Sequence, residues 1–175
     1  MLEAELATAA VVLGVRHTSL LSYPDGALAE VALDELVAHV RTAVTDDSPS
    51  HLVVFDEGGV TGHPDHARAT EAAVQAAGEL ALPVLAWTVP DAVATALNTE
   101  FGTAFRGRPA AQIDWTVAVD RTRQWRAIAA HASQSADNPV LRRRLALLGD
   151  TEHVVLLWPG GAQGPTEVGP SAVSA

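Results

Sequence analysis

The chain has 175 residues, 48% of them hydrophobic and 18% charged, which is enough for one globular domain with its own core. The formal net charge is −10 and lysine is absent, so the acidic surface argues against nucleic acid or an anionic membrane as a partner. Cysteine is also absent, which excludes disulfides, thiolate metal ligands and a cysteine nucleophile. The N-terminus lacks the basic segment of a secretory signal, so we expect a cytoplasmic protein, and its alanine-, arginine- and valine-rich composition is typical of a GC-rich bacterial genome.

Hydrophobic periodicity predicts helices and strands that alternate along the chain. The predicted helices cover residues 2–13, 28–44, 64–80, 90–97, 121–133 and 139–148. The predicted strands cover residues 17–23, 51–55, 83–88, 113–119 and 152–158, and the alternation in 113–119 predicts one buried face. This order is typical of an α/β protein, specifically a Rossmann-like three-layer αβα fold with a mostly parallel sheet. We predict one domain over 1–159 and a disordered tail over 160–175, which is rich in glycine, proline, serine and alanine.

The predicted order of elements begins with a helix that leads into a strand. Parallel crossover units ordinarily begin with a strand, so the sequence reads as if it started one element late. We therefore expect that the first strand of the fold is missing.

The segment from Phe55 to His66 carries the most chemically informative pattern. A buried strand ends there in a glycine-rich loop, and a helix follows. In open α/β sheets ligands bind at the carboxyl ends of strands. His63 and His66 are three residues apart, which places both imidazoles on one face of a helical turn and within reach of one metal ion. A well-capped helix start, with Pro64 at its first position and Asp65 in its first turn, is the alternative interpretation that the spacing leaves open.

Four segments occur in an order and spacing that resemble one family. They are residues 5–15 (ELATAAVVLGV), 23–26 (YPDG), 58–66 (GGVTGHPDH) and 130–134 (AHASQ). Over about residues 3–158 the chain resembles the LmbE-like or PIG-L family of zinc-dependent N-deacetylases. This family includes the mycothiol-pathway deacetylase of N-acetylglucosaminyl-inositol and the N-acetylglucosaminyl-phosphatidylinositol de-N-acetylase. The resemblance implies a Zn²⁺ cofactor and a small-molecule amino-sugar substrate.

The same resemblance implies roles for four residues. His66 would be a metal ligand, and His63 would stabilise the oxyanion and protonate the leaving amine. Asp65 would orient and tune His63, and Asp25 would contact sugar hydroxyls as a substrate-binding residue. In the family, the other two ligands and the general base come from an Ala-His-Pro-Asp-Asp-Glu segment after the first strand. That segment is absent from this sequence, and the missing strand is the one that would carry it.

Two hypotheses about function remain open at this stage. In the first, the chain is a zinc-dependent N-deacetylase of an N-acetylated amino sugar or sugar conjugate, and its gene start lies too far downstream. DNA upstream would then encode, in frame, a strand ending in a His-Pro-Asp-Asp-like segment. In the second, the chain is a non-catalytic remnant of the same fold that acts through binding or assembly. A lost strand would then expose apolar surface and make the purified chain a homo-oligomer or unstable.

Three further features carry expectations. Asp56 directly follows the predicted strand and is expected to partner a histidine. His131 lies among alanines and is interpreted as a hydrogen-bonded wall residue rather than a third ligand. The loop over 101–109 is expected to shape specificity.

Overall fold

The computed structural model describes residues 2–161. Within this range the helices are α1 (Leu2–Leu13), α2 (Leu33–Asp47), α3 (Pro64–Leu80), α4 (Asp91–Phe101), α5 (Thr122–Ala130), α6 (Ala132–Ser135) and α7 (Pro139–Leu148). The strands are β1 (Leu52–Phe55), β2 (Val84–Thr88), β3 (Trp115–Ala118) and β4 (Thr151–Trp158). Almost all of the predicted tail over 160–175 lies outside the described residues, so the tail stays a prediction.

The four strands form one mixed sheet in the order β1-β2-β4-β3. β1 pairs with β2 in parallel, whereas β4 pairs antiparallel with both β2 and β3. The predicted α/β class is confirmed, but the expectation of a mostly parallel sheet is corrected. β1, β2 and β3 share one direction, and only β4 is reversed. Three helices, α5, α6 and α7, lie between β3 and β4.

Two of the predicted strands differ from the structure. Residues 17–23 form no strand among residues 2–161, and the side chains of Leu20 and Leu21 are exposed. β3 forms as predicted, but all four of its residues are exposed, so the expected buried face is wrong. The reason is its place at the edge of the sheet, where β4 is its one pairing partner within the described range.

The core is built from alanines on the long helix and from branched side chains at the strand ends. α3 packs across β1, β2 and β4, and its alanines let helix and sheet approach closely. On α4 and α7, Leu97 and Leu148 join a second cluster that includes Val60 from the glycine loop. This cluster anchors the loop that follows β1.

The outer edge of β1 is open within residues 2–161. β1 pairs only with β2 there, and Val53 at the middle of the strand is 65% exposed. A cavity of about 390 Å³ runs along this edge, beside Phe55, Ala69 and Trp87. The carboxyl end of β1 leads directly to Asp56 and the glycine loop. None of the helices in the described range is both long and apolar enough to span a membrane.

Candidate metal and catalytic site

The loop between β1 and α3 has a backbone that only certain residues can adopt. Gly58 and Gly59 have φ of +80°, in the left-handed region that favours glycine. A Cβ on Gly59 would lie 2.7 Å from the carbonyl oxygen of His63 and 3.0 Å from Cβ of His66. The loop can therefore pass directly beneath the two histidines only because this position has no side chain.

Val60 also lies in the left-handed region, with φ of +57°, which is rare for a β-branched residue. Its side chain is completely buried in the core cluster with Leu97 and Phe105. The backbone N–H of Thr61 donates to the carbonyl oxygen of Gly59 at 2.5 Å, which closes a tight three-residue turn around Val60. Burial of Val60 holds the chain in this conformation, and strained backbone of this kind concentrates at functional sites.

His66 is fixed on two sides. Its ring stacks on the ring of Phe55, with centroids 3.9 Å apart and planes inclined by 7°. Its Nδ1 lies 3.2 Å from the carbonyl oxygen of Gly59 and 3.0 Å from Oγ1 of Thr61. A carbonyl oxygen can only accept, so Nδ1 carries the proton and donates it, and Nε2 keeps a free lone pair. Metal-ligating histidines are held in this way, with the second nitrogen donating to a backbone carbonyl.

The hydrogen bond at Nδ1 of His63 has the opposite direction from the one at Nδ1 of His66. His63 caps α3, and its Nδ1 accepts from the backbone N–H of Asp65 at 3.3 Å. Its proton therefore resides on Nε2, which faces Oδ1 of Asp25 at 3.7 Å. The rings of His63 and His66 are neighbours, with centroids 5.1 Å apart. The structure thus brings the two histidines and Asp25 together at the end of β1.

The carboxylate of Asp65 connects the site to the turn at residues 23–26. It accepts from the backbone N–H of Gly26 at 2.8 Å and of Leu28 at 3.0 Å. The backbone of Asp65 orients His63, while its side chain brings Asp25 into place. Donor atoms of Asp25, His63 and Asp65 lie within 4.8 Å of one another, which makes them the one candidate cation cluster in the part of the chain described. His66 lies beside this cluster rather than within it.

Asp56 has a different partner from the one expected. It is buried, and the guanidinium of Arg108 donates to both of its carboxylate oxygens, at 2.6 and 2.7 Å. Burial alone would raise the pKa of Asp56, but the hydrogen bonds from Arg108 and the Glu57 N–H outweigh it and hold the pKa below its ordinary value. The expected contact with a histidine is wrong, because Asp56 instead ties the loop over 101–109 to the end of β1.

His131 is a structural residue, as the sequence indicated. Its Nδ1 lies 3.3 Å from Oε2 of Glu5, and the hydroxyl of Ser133 donates to the same carboxylate. Hydrogen bonds from Ser133 and His131 lower the pKa of Glu5. The three residues join α1 to the corner between α5 and α6.

A cavity of about 800 Å³ opens beside Asp25 and Asp65. Its polar wall includes Tyr23, whose hydroxyl donates to Glu35 at 2.6 Å and lies 2.9 Å from Nε2 of His39. Its other walls are mainly apolar side chains from the segment 20–28 and from α2. No sequence pattern points to His39, which lies in an ordinary helical segment. The spacing of the histidines does not single out Thr61 either, although it lies within the same loop.

Comparisons with known proteins agree with this fold and this loop. The chain is similar in structure to a triple mutant of a deacetylase from the teicoplanin biosynthetic pathway, with a TM-score of 0.59 and 20% identity over 88% of this chain and 68% of that one. It is also similar to the deacetylase of the A40926 pseudoaglycone, with a TM-score of 0.58 and 19% identity over 92% of this chain and 71% of that one. These likenesses define an α/β protein with the deacetylase fold.

The sequence comparisons match the N-terminal part of the chain to one family. Residues 1–77 match the family described as PIG-L, GlcNAc-PI de-N-acetylase, which confirms the resemblance over that segment. A 1D-myo-inositol 2-acetamido-2-deoxy-alpha-D-glucopyranoside deacetylase of Catenulispora acidiphila is 44% identical over 54 residues, 31% of this chain and 17% of the relative. The corresponding enzyme of Kineococcus radiotolerans is 32% identical over 97 residues, 41% of this chain and 27% of the relative. The matched segments therefore span only 17% and 27% of the length of these two relatives.

Proposed function

We propose that this chain is a zinc-dependent N-deacetylase that hydrolyses the amide of an N-acetylated amino sugar or sugar conjugate in the cytoplasm. One observation carries the proposal. His66 is held by its Nδ1 hydrogen and by stacking on Phe55, so that Nε2 is free at the carboxyl end of β1. The PIG-L match over residues 1–77 includes this loop and supports the same activity.

The donor atoms around the loop suit a zinc ion. Imidazole nitrogen is an ordinary zinc ligand, and His66 offers one with its lone pair free. We assign His66 as the ligand, with the carboxylates of Asp25 and Asp65 supplying negative charge that favours a cation nearby. A bound zinc ion would lower the pKa of a water molecule and polarise the amide carbonyl.

His63 would stabilise the oxyanion and protonate the leaving amine. Its hydrogen is on Nε2 and points away from the capping contact with α3. It can donate this hydrogen bond to the oxyanion as the amide carbonyl becomes tetrahedral. To protonate the leaving amine, the ring must first carry a second proton on Nδ1, in place of the hydrogen bond accepted from Asp65, because a neutral imidazole that lost its Nε2 hydrogen would become an anion. The Asp25 carboxylate, 3.7 Å from Nε2, would stabilise the protonated ring between these steps.

The neighbouring cavity supports an amino-sugar substrate. At about 800 Å³ it is within the range of small-molecule sites, and its rim carries Tyr23, Asp25 and His39. Carboxylate and hydroxyl groups at such positions can hydrogen-bond sugar hydroxyls. We place the sugar here, with Asp25 as a substrate-binding residue and the acetamido group toward His63.

The test is zinc content and hydrolysis measured on the purified 175-residue chain. Zinc would be quantified by mass spectrometry, and release of acetate would be followed from N-acetylglucosaminyl-inositol. We expect His66→Ala to lose zinc and activity together. His51→Ala, at the opposite end of β1 and outside the site, should retain both. Equal zinc content in the wild type and in His66→Ala would overturn the assignment.

The alternative is that the chain is a non-catalytic protein of the same fold. The open edge of β1 favours it, because exposed Val53 offers a surface for binding or assembly. Stoichiometric zinc without any hydrolysis, or a metal-free chain that forms oligomers, would support this alternative over the enzyme.

A further inference from the structure

We propose that Thr61 is a positioning residue that, with the carbonyl of Gly59, locks His66 in the tautomer whose Nε2 can bind a divalent metal. The metal-binding part rests on the proposed function, whereas the tautomer lock rests on the contacts of His66 alone. The two parts can therefore fail separately.

The lock consists of two hydrogen-bond acceptors that both lie near Nδ1 of His66. Thr61 Oγ1 lies 3.0 Å from Nδ1 of His66, closer than the carbonyl oxygen of Gly59 at 3.2 Å. The Thr61 hydroxyl can donate its own hydrogen toward the Gly59 oxygen, 3.4 Å away, which leaves its lone pairs for the imidazole. Both acceptors therefore favour a proton on Nδ1, and Nε2 is left as the metal-binding atom.

Stacking makes this lock specific to one ring orientation. The imidazole of His66 lies flat on Phe55, so the ring has little freedom to tilt. A half-turn of the ring about the Cβ–Cγ bond would exchange Nδ1 for the Cδ2 carbon and lose both hydrogen bonds. The orientation and the tautomer are thus fixed by the same contacts.

The turn around Val60 explains why Thr61 lies in reach. The left-handed φ of Val60 turns the chain so that the Gly59 carbonyl and the Thr61 hydroxyl both face His66. Val60 is completely buried, so core packing maintains a backbone conformation that the sequence would otherwise avoid. Strain at this position is explained if the turn must present two acceptors at once.

The experiment compares Thr61→Val, which removes the hydroxyl at nearly constant volume, with Thr61→Ser, which retains it. The tautomer of His66 would be determined at pH 8 in the metal-free full chain, by nitrogen-15 NMR of labelled histidine. Zinc affinity would be measured by competition with a chelator. We expect the wild type and Thr61→Ser to hold the Nδ1–H tautomer and to bind zinc within about threefold of each other. Thr61→Val should populate both tautomers and bind zinc about 10- to 100-fold more weakly, the range typical for lost partners of metal-bound histidines.

The outcomes separate the two proposals. Mixed tautomers in the wild type, or an unchanged tautomer in Thr61→Val, would overturn the lock whether or not zinc binds. A single tautomer in the wild type that is lost in Thr61→Val, with no zinc bound by either protein, would retain the lock and overturn the proposed function. Melting temperatures of all variants serve as the folding control. Thr61→Ala replaces Thr61→Val if the latter does not fold.

Discussion

His63 and His66 are three residues apart, yet their surroundings give them opposite tautomers. His63 accepts a backbone hydrogen bond at Nδ1 and carries its proton on Nε2. His66 donates from Nδ1 and keeps Nε2 free. One ring can therefore act as a hydrogen-bond donor and acid while its neighbour acts as a ligand. This division of roles depends on single atoms of Asp65, Gly59 and Thr61 rather than on the spacing of the histidines.

We expect His63→Ala to separate the two roles. Because His63 is assigned to proton transfer and not to metal binding, the variant should keep zinc while hydrolysis falls by about 10²- to 10⁴-fold, the usual contribution of a general acid or base. Zinc content and the initial rate of acetate release are the measurements. Loss of zinc in this variant would mean that His63 is itself a ligand.

Gly59→Ala tests whether the close approach of the loop matters beyond its backbone conformation. Gly59 and Gly14 have similar φ, +80° and +76°, but a Cβ on Gly14 would meet no atom within 4 Å. Gly14→Ala should therefore cost only the left-handed conformation, about 1 kcal/mol. Gly59→Ala should cost about 3 kcal/mol, since the left-handed penalty is joined by the strain of displacing the histidines. Urea denaturation of both variants measures the difference, and equal losses would contradict the packing argument.

At the scale of elements, the site depends on how the loop after β1 is fastened. Asp56 at the end of β1 and Arg108 in the loop over 101–109 form a bidentate ion pair. The backbone N–H of Arg106 donates to the carbonyl of Val60 at 2.7 Å, so the same loop also supports the turn under His66. The loop over 101–109 thus clamps the glycine loop at both of these contacts.

Asp56→Asn should loosen this clamp. Removing one charge leaves Arg108 without its buried partner, with only the exposed Glu57 at 3.6 Å remaining, and a loss of about 3 kcal/mol in the free energy of unfolding is expected. The pKa of Asp56 in the folded protein is below its ordinary value of 3.8, so its contribution is complete above that pH and is lost as the pH falls through the lower folded value. The acid-induced loss of stability should therefore be shallower in Asp56→Asn than in the wild type. Denaturation curves between pH 7 and pH 3 provide the test.

Glu100→Gln is the matched control for this experiment. Glu100 on α4 forms an exposed ion pair with Arg143 of α7 at 2.8 Å and does not contact Asp56 or Arg108 in this pair. Its removal should change the free energy of unfolding little, because exposed pairs are screened by solvent. A loss as large as that of Asp56→Asn would show that the burial of Asp56 is not what gives the clamp its strength.

The sequence could predict most helices and strands because their signals are local. The alanine-rich helix after His63 and the strand around Leu85 are read from periodicity and turn residues alone. The partner of Asp56 is 52 residues away, and the reversed direction of β4 is seen only in its antiparallel pairing with β2 and β3. Such facts depend on tertiary structure. Of the candidate site, the sequence indicated His63, Asp65, His66 and Asp25, but not the atoms that orient them.

At the scale of the whole molecule, the two edge strands of the sheet, β1 and β3, have different surroundings. β3 closes one side with four exposed residues, and β1 leaves the other side open beside the site within the described range. Val53 on β1 is 65% exposed, whereas Val84 on the neighbouring strand is completely buried. The stability of the sheet is therefore concentrated in β2 and β4.

Val53→Lys and Val84→Ala test this asymmetry. Val53→Lys should change the free energy of unfolding by no more than about 0.5 kcal/mol, as exposed substitutions do. Val84→Ala should cost about 2 kcal/mol through lost burial and a residual cavity. Urea denaturation combined with gel filtration gives both stability and oligomeric state. A large loss in Val53→Lys, or a change in oligomeric state, would mean that a second copy covers this edge in solution.

The contacts of Glu5 have a consequence for folding during synthesis. Its carboxylate is bound by His131 and Ser133, which follow it by 126 and 128 residues. At ribosomal rates of about 5–20 residues per second, these partners would be synthesised roughly 6–25 s after Glu5. A helix of 12 residues is marginal in water on its own. Until the second half of the chain emerges, α1 therefore remains without a docking surface and is open to proteases or chaperones.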